Sequence, residues 1–270
     1  MWTPATREQY KRKGLRYESD LTDAEWSVIE PLLFKQVSGR RWRWPMREIV
    51  NGLNYILRGG IAWVLIPKDF PPKSTLYRWF CRFRDEALFE KINFALVALD
   101  RECCNREASP TAGVIDSQSV KTTESGGPRG YDAGKKIKGL KRSDLTDTDG
   151  RVLLIEPHPA DIQDRDSGGL IIKASRCLYP FITKVYADSG YNHERVTKAV
   201  EAVSVEIITK IKDQVGFVVL PRRWVVERTF AWLNRNRRLA KDFEVTIDSA
   251  RAFLYAAAVM LLIRRIARNL

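Results

Sequence analysis

The strongest constraint on the fold of this 270-residue chain is a change of hydrophobic period at Gly113. Upstream, apolar residues recur at helical spacing: Trp26, Ile29 and Leu33, then Ile49, Leu53 and Ile56–Leu57, then Leu76, Phe80 and Phe83. That spacing gathers them on one face of a helix. Downstream, GVIDSQSV alternates, with Ile115, Ser117 and Ser119 on one side and Val114, Asp116, Gln118 and Val120 on the other. Alternation of this kind is a strand signal. Helices followed by a mixture of strands and helices predict an α/β chain: a mixed sheet with helices on its faces, preceded by an all-helical region.

Local signals place the elements. Thr22 and Glu25 form a capping box, Pro45 opens a helix over 46–58, and Gly59-Gly60 closes it. Ser74 is the expected cap of a helix over 75–84, and a further helix covers 86–106. Three units result: a basic arm over 1–20, a helical region over 21–108 and a sheet region over 109–270. The Gly- and Lys-rich stretch 122–139 reads as a loop, and Asp149-Gly150 reads as a two-residue hairpin between strands 141–148 and 151–158. A helix over 161–175, a strand over 184–188, a helix over 192–203 and a strand over 205–210 follow. A loop over 213–219 leads to a helix around Glu227, and a last helix spans 248–268.

The charge points to a partner. Forty-six Lys and Arg against 33 Asp and Glu leave a net charge of +13, which favours a polyanion through counterion release. Met1–Asp20 has no apolar leader, and the apolar run Phe253–Ile263 is too short to span a bilayer, so a cytoplasmic protein without a membrane partner is expected. The four cysteines form no CxxC pair, and neither His158 nor His193 has zinc-ligand spacing.

Two sets of residues carry chemistry. Pro71-Pro72 precedes a helix bearing Tyr77, Arg78, Arg82 and Arg84, which suits a helix-turn-helix reading the major groove; a helical bundle with a basic surface fits the same segment. The second set is acidic. Asp116 interrupts a strand, where propensity disfavours it and unpaired burial is costly. Asp188 ends the apolar run KVYAD, and a polar residue at the carboxyl end of a strand sits where ligands bind in open α/β sheets. Glu227 lies in RRWVVERTFAWLNRNRRLAKDFE, among many arginines and one turn after Arg223. Alone, each acid reads as turn chemistry or a salt bridge. Together in a basic chain they fit carboxylate ligands for divalent cations acting on phosphodiesters.

The segments GVIDSQSVKTTESGGPRGYDAGKK, VYADSGY and RRWVVERTFAWLNRNRRLAKDFE resemble the three blocks of the DDE transposases of bacterial insertion sequences, the group named after insertion sequence five. DLTDAEWSVIEPLL and WPMREIVNGLNYILRGG resemble that group's N-terminal region. The resemblance implies an RNase H-like catalytic domain with Asp116, Asp188 and Glu227 as catalytic, metal-holding residues and Arg223 as an auxiliary. It also implies two Mg²⁺ ions, replaceable by Mn²⁺, a helix-turn-helix-type DNA-binding region, terminal inverted repeats and target DNA as partners, and a homodimer at synapsis. Arg78, Arg82, Lys121, Arg222 and Arg228 are the expected DNA contacts, and the nucleoid the expected location. The chain departs from the family pattern at Leu220, Asn234, Ser143 and Asp144. An inactive DNA-binding derivative, or an RNase H-like nuclease without strand transfer, are the alternatives.

Overall fold

The computed structural model describes residues 3–9, 11–36, 39, 41–124, 126–192, 196, 202–208 and 221–269. The expected loop over 213–219, almost all of the expected helix over 192–203, and Leu220 lie outside the described residues.

The helical region holds α1 (Pro4–Gln9), α2 (Asp23–Ile29), α3 (Met46–Gly59), α4 (Lys73–Asp85) and α5 (Leu88–Cys103). The capping box forms: Thr22 Oγ accepts from the Glu25 N–H at 3.1 Å, and the Glu25 carboxylate accepts from the Thr22 N–H at 3.0 Å. Helix α4 starts earlier than expected, with Pro72 at the cap and Ser74 inside the first turn. Ala87, at φ 50°, separates α5 from α4. The basic arm is docked from residue 12 onward. Arg12 donates to the carbonyls of Glu18 and Asp20 and to the Glu25 carboxylate. Arg16 reaches Glu48 at 2.9 Å, and the Tyr17 ring stacks on Phe70 with centroids 5.1 Å apart. Partner acids and an aromatic platform thus hold a segment whose sequence shows only positive charge.

One mixed sheet follows, made of β1 (Ala112–Lys121), β2 (Gly130–Asp132), β3 (Ile137–Asp147), β4 (Val152–Pro159), β5 (Lys184–Ala187) and β6 (Ser204–Ile207). The order is β2-β3-β1-β5-β6, with β4 also on β3. β3 pairs antiparallel with β1, β2 and β4, while β1–β5 and β5–β6 are parallel. Helix α6 (Asp164–Leu178) packs on the sheet, as do α7 (Pro221–Leu233) and α8 (Ile247–Ile266). β2 forms inside the stretch read as loop, because three residues pair with the start of β3 without any alternating pattern of their own. The β3–β4 hairpin has a three-residue loop, not two: the Asp147 N–H donates to the Arg151 carbonyl at 2.9 Å and the Gly150 N–H to the Asp147 carbonyl at 3.1 Å.

Helix α8 is apolar nearly all round, the signature of a helix buried on every side. It packs against α2, α3, α4, α5 and β4. Its Phe253 ring stacks on Phe80 of α4 with centroids 4.4 Å apart. Among the described residues, no helix is long and apolar enough to cross a membrane.

Gly150 fixes where α7 lies. Its φ of 86° belongs to the left-handed region, and a Cβ there would meet Thr229 Oγ at 2.7 Å. Thr229 in turn donates to the Gly150 carbonyl at 3.1 Å. Gly150→Ala should therefore cost about 2 kcal/mol, combining backbone strain with the displaced contact. Urea unfolding of the variant checks this, and a change below about 0.5 kcal/mol would contradict it.

Candidate active site

Sheet register brings two of the acids level. Val114 of β1 pairs with Tyr186 of the parallel strand β5. Two residues on, Asp116 and Asp188 keep the same parity and face the same side of the sheet. Strand spacing of about 4.8 Å makes them neighbours. On β1's other flank Asp116 is paired with Asp144 of β3. Three aspartates therefore stand in a row across three adjacent strands.

Helix α7 supplies the rest. It packs on β1, β3 and β5 and turns Arg223 and Glu227, one helical turn apart, toward the row. The Arg223 guanidinium lies 3.5 Å from Asp188 and 3.4 Å from Glu227. The Asn234 amide, just past the end of α7, donates to the Gln118 carbonyl oxygen of β1 at 3.0 Å and anchors that end of the helix. Asn234 occupies the position of the family's lysine, so its service here is a strut between helix and strand. Arg142 of β3 completes the anchor, donating to Asn234 at 3.3 Å and to the Leu239 carbonyl at 2.8 Å.

The electrostatics single out Asp116. Burial, with Asp188 adding repulsion, pushes its carboxyl up to about 6, despite the Ser117 N–H at 2.7 Å and the opposing charges of Arg223 and Lys135. Asp188 is half-buried and accepts from the Gly190 N–H at 2.9 Å, which orients its carboxylate at the turn after β5. Asp144 is fully buried, both its oxygens lack a hydrogen-bond partner, and burial raises its carboxyl well above the usual range, with Asp116 adding to the shift. It is the neutral member of the row.

The oxygen donors suit a hard divalent cation: Asp116 is a carboxylate whose ionisation is opposed by burial and by a neighbouring acid, the conflict such a charge resolves. Among the described residues no three acids, histidines or cysteines are close enough to grip an ion as they stand. The physical reason is Arg223, whose single charge sits between Asp188 and Glu227.

The expected DNA contacts are dispersed. Arg222 is exposed and stacks over Tyr186 at 4.4 Å beside the acids. Lys121, at the end of β1, joins Arg129, Lys136 and Lys138 around a cavity of about 320 Å³. Arg228 points away from the acids, held between Trp224 at 4.8 Å and Trp232 at 4.6 Å. Arg78 and Arg82 are on α4, in the helical region; Arg78 is exposed, whereas Arg82 is tied to Glu86 at 2.8 Å and lies over Phe34 at 4.2 Å. Sequence reading passed over Lys135, which donates to the Ser117 carbonyl at 3.0 Å beside Asp116. Its only signal was membership of a lysine-rich stretch.

A family model described as "Transposase DDE domain" matches residues 107–263, more than half of the chain. The chain belongs to the DDE transposases. A second model, described as "Putative transposase of IS4/5 family", matches residues 21–93, so the membership extends to the helical region and to the IS4/5 type. A Burkholderia cepacia protein described as "Putative transposase for insertion sequence element IS402" is 45% identical over 71 residues, covering 26% of this chain and 34% of that protein. The match spans about a third of that relative's length. No solved structure matches this DDE transposase.

Proposed function

We propose that this chain cuts the ends of an insertion sequence and joins the freed 3′-OH to target DNA, in a reaction dependent on Mg²⁺. The observation that carries the reading is the meeting of Asp116, Asp188 and Glu227, from two strands and a helix, around one arginine. Asp116, Asp188 and Glu227 would hold two divalent cations. When bound, such ions lower the pKa of an attacking water or 3′-OH and stabilise charge on the leaving oxygen of an in-line displacement. The protein's part is positioning. The β1–β5 register sets Asp116 beside Asp188, and the Asn234 strut fixes the pitch of α7 and with it Glu227. Arg223 keeps the acids from repelling one another before ions arrive, then turns to a DNA phosphate. Lys135, Arg222 and the cluster at Lys121 would hold the strand across the site, with Arg78 on α4 serving an RNase H-like catalytic region from the helical one.

A cleavage assay on the element's own terminal repeats, with and without Mg²⁺, tests the reading. Alanine at Asp116, Asp188 or Glu227 is expected to abolish nicking, while duplex binding changes less than about threefold. Full Mg²⁺-dependent cleavage by any of the three variants would overturn the assignment. A DNA-binding derivative without chemistry is the second reading, and Asp144 favours it: an unpartnered buried acid beside Asp116 is a burden on an active centre. Binding without nicking in Mg²⁺ or Mn²⁺ would select it, and hydrolysis without joining of pre-cleaved ends would select a simple nuclease.

A further inference from the structure

A second basic site lies away from the acids. Gly150 and Val152 of the hairpin, the end of α7 and the far end of α8 enclose a cavity of about 520 Å³. Its lining includes Arg151, Arg235, Arg264, Arg265 and Arg268, with Trp232 and apolar residues of α8 beside them, and no acid among the described residues. The acids behind this wall are already engaged. Asp100 receives Arg151 at 2.6 Å and Arg265 at 3.0 Å, and Asp147 receives Arg151 and Arg101. Glu25, paired with Arg12, stays 3.8 Å from Arg264. Arg264 is left with two buried nitrogens, Nε and one terminal Nη, that have no hydrogen-bond partner.

We infer that this cavity binds a phosphate-bearing anion, held by Arg264 with Arg235 and Arg268 at its mouth. A guanidinium presents paired N–H donors that match two oxygens of a phosphate. The empty donors of Arg264 supply that fork, and the surplus of cations supplies the field. Burial, followed by repulsion from Arg12, pulls the Arg264 guanidinium down to about 10, with Arg58 and Arg268 adding to the repulsion despite Glu25. Arg58 and Arg228 nearby are lowered as well, chiefly by burial. Charges that disfavour one another without a counter-ion are what an anion would relieve. The stripe Trp224–Arg228–Trp232 runs toward the cavity along a face of α7 distinct from the one bearing Arg223 and Glu227. The phosphate can therefore come from a DNA strand following that stripe or from a free polyphosphate.

The full chain is titrated with sodium tripolyphosphate and, separately, with a duplex of about 20 base pairs, following thermal unfolding and direct binding. Wild type should show a saturable rise in midpoint with tripolyphosphate beyond that given by sodium chloride of equal ionic strength. The double variant Arg264→Gln/Arg268→Gln should lose that rise, while its unliganded midpoint is equal or higher, because a like-charge contact is gone. Arg235→Gln, an exposed change with little risk to folding, should weaken tripolyphosphate binding several-fold. If duplex displaces tripolyphosphate, and the double variant flattens the dependence of log K on log salt by about 1 to 2, the phosphate is DNA's. If duplex binds without displacing it, the ligand is a small polyphosphate. Variants that respond to tripolyphosphate as wild type does, or a rise no larger than the chloride control, would overturn the inference. None of these readouts requires cleavage, so they stand apart from the outcome at Asp116.

Discussion

Asp116→Asn is expected to abolish cleavage and, at the same time, to stabilise the metal-free protein by about 1–3 kcal/mol at pH 8. The Asp116 carboxyl is raised to about 6 by burial, with Asp188 adding to the shift. A group whose folded pKa exceeds its unfolded value favours the fold fully below the unfolded pKa. That contribution is lost as pH climbs through the folded one. Wild type should thus lose stability between about pH 4 and pH 6–7, and the variant's advantage should shrink toward zero at pH 4. Asp242, likewise pushed up to about 6 by burial, adds a slope of the same sign to both proteins and cancels in the comparison. Millimolar Mg²⁺ should raise the midpoint of wild type and leave Asp116→Asn unmoved. Denaturation at several pH values, with and without Mg²⁺, checks every part. An Asn variant less stable than wild type at pH 8 would show that Asp116 contributes packing and hydrogen bonding that outweigh its buried charge.

Arg151→Met should be the most damaging single change outside the core, destabilising by about 3–5 kcal/mol. Arg151 is fully buried and joins Asp100 at 2.6 Å, Asp147 at 2.8 Å and Asp149 at 2.7 Å. Burial pushes Asp147 up, but Arg151 and the N–H donors of the hairpin outweigh it and leave its carboxyl below the usual range. The associated stability is present above the unfolded pKa of about 4 and disappears as pH falls through the lower folded value. Methionine fills similar volume but leaves Asp100 and Asp147 with one cation each, Arg265 and Arg101. The variant should therefore unfold at lower urea, and its deficit should narrow below pH 4 as those acids take up protons. A deficit under 1 kcal/mol would mean that Arg265 and Arg101 compensate in full.

The acids were legible in the sequence because each violated a local rule: an aspartate inside a strand, another at a strand's end, a glutamate among arginines. Arg223 was legible from helical spacing alone. The element order was read from the change in period, and the mixed sheet and its flanking helices follow it. What could not be read depends on distant partners. KRSD in β3 looks like a solvated edge, yet all four residues are buried. The strand is central, and three of its polar groups find remote partners: Lys141 meets Asp164 at 3.1 Å, Arg142 the Leu239 carbonyl and Ser143 the His158 ring at 2.9 Å. The Arg151 cluster was hidden for the same reason, since its acids come from α5 and from the hairpin itself. The docked arm, the short β2 and the third residue of the hairpin loop are decided by pairing geometry, which a single segment's composition does not encode.

Helix α8 has a consequence for biosynthesis. Its Phe253 completes the aromatic stack on α4, and its other faces close α2, α3 and α5. The helical region is translated early but finds its missing wall only when α8, encoded far downstream, has been made. Until then a nascent chain exposes the apolar faces of four helices, so this segment of the polypeptide depends on a chaperone or on fast elongation to reach its native packing.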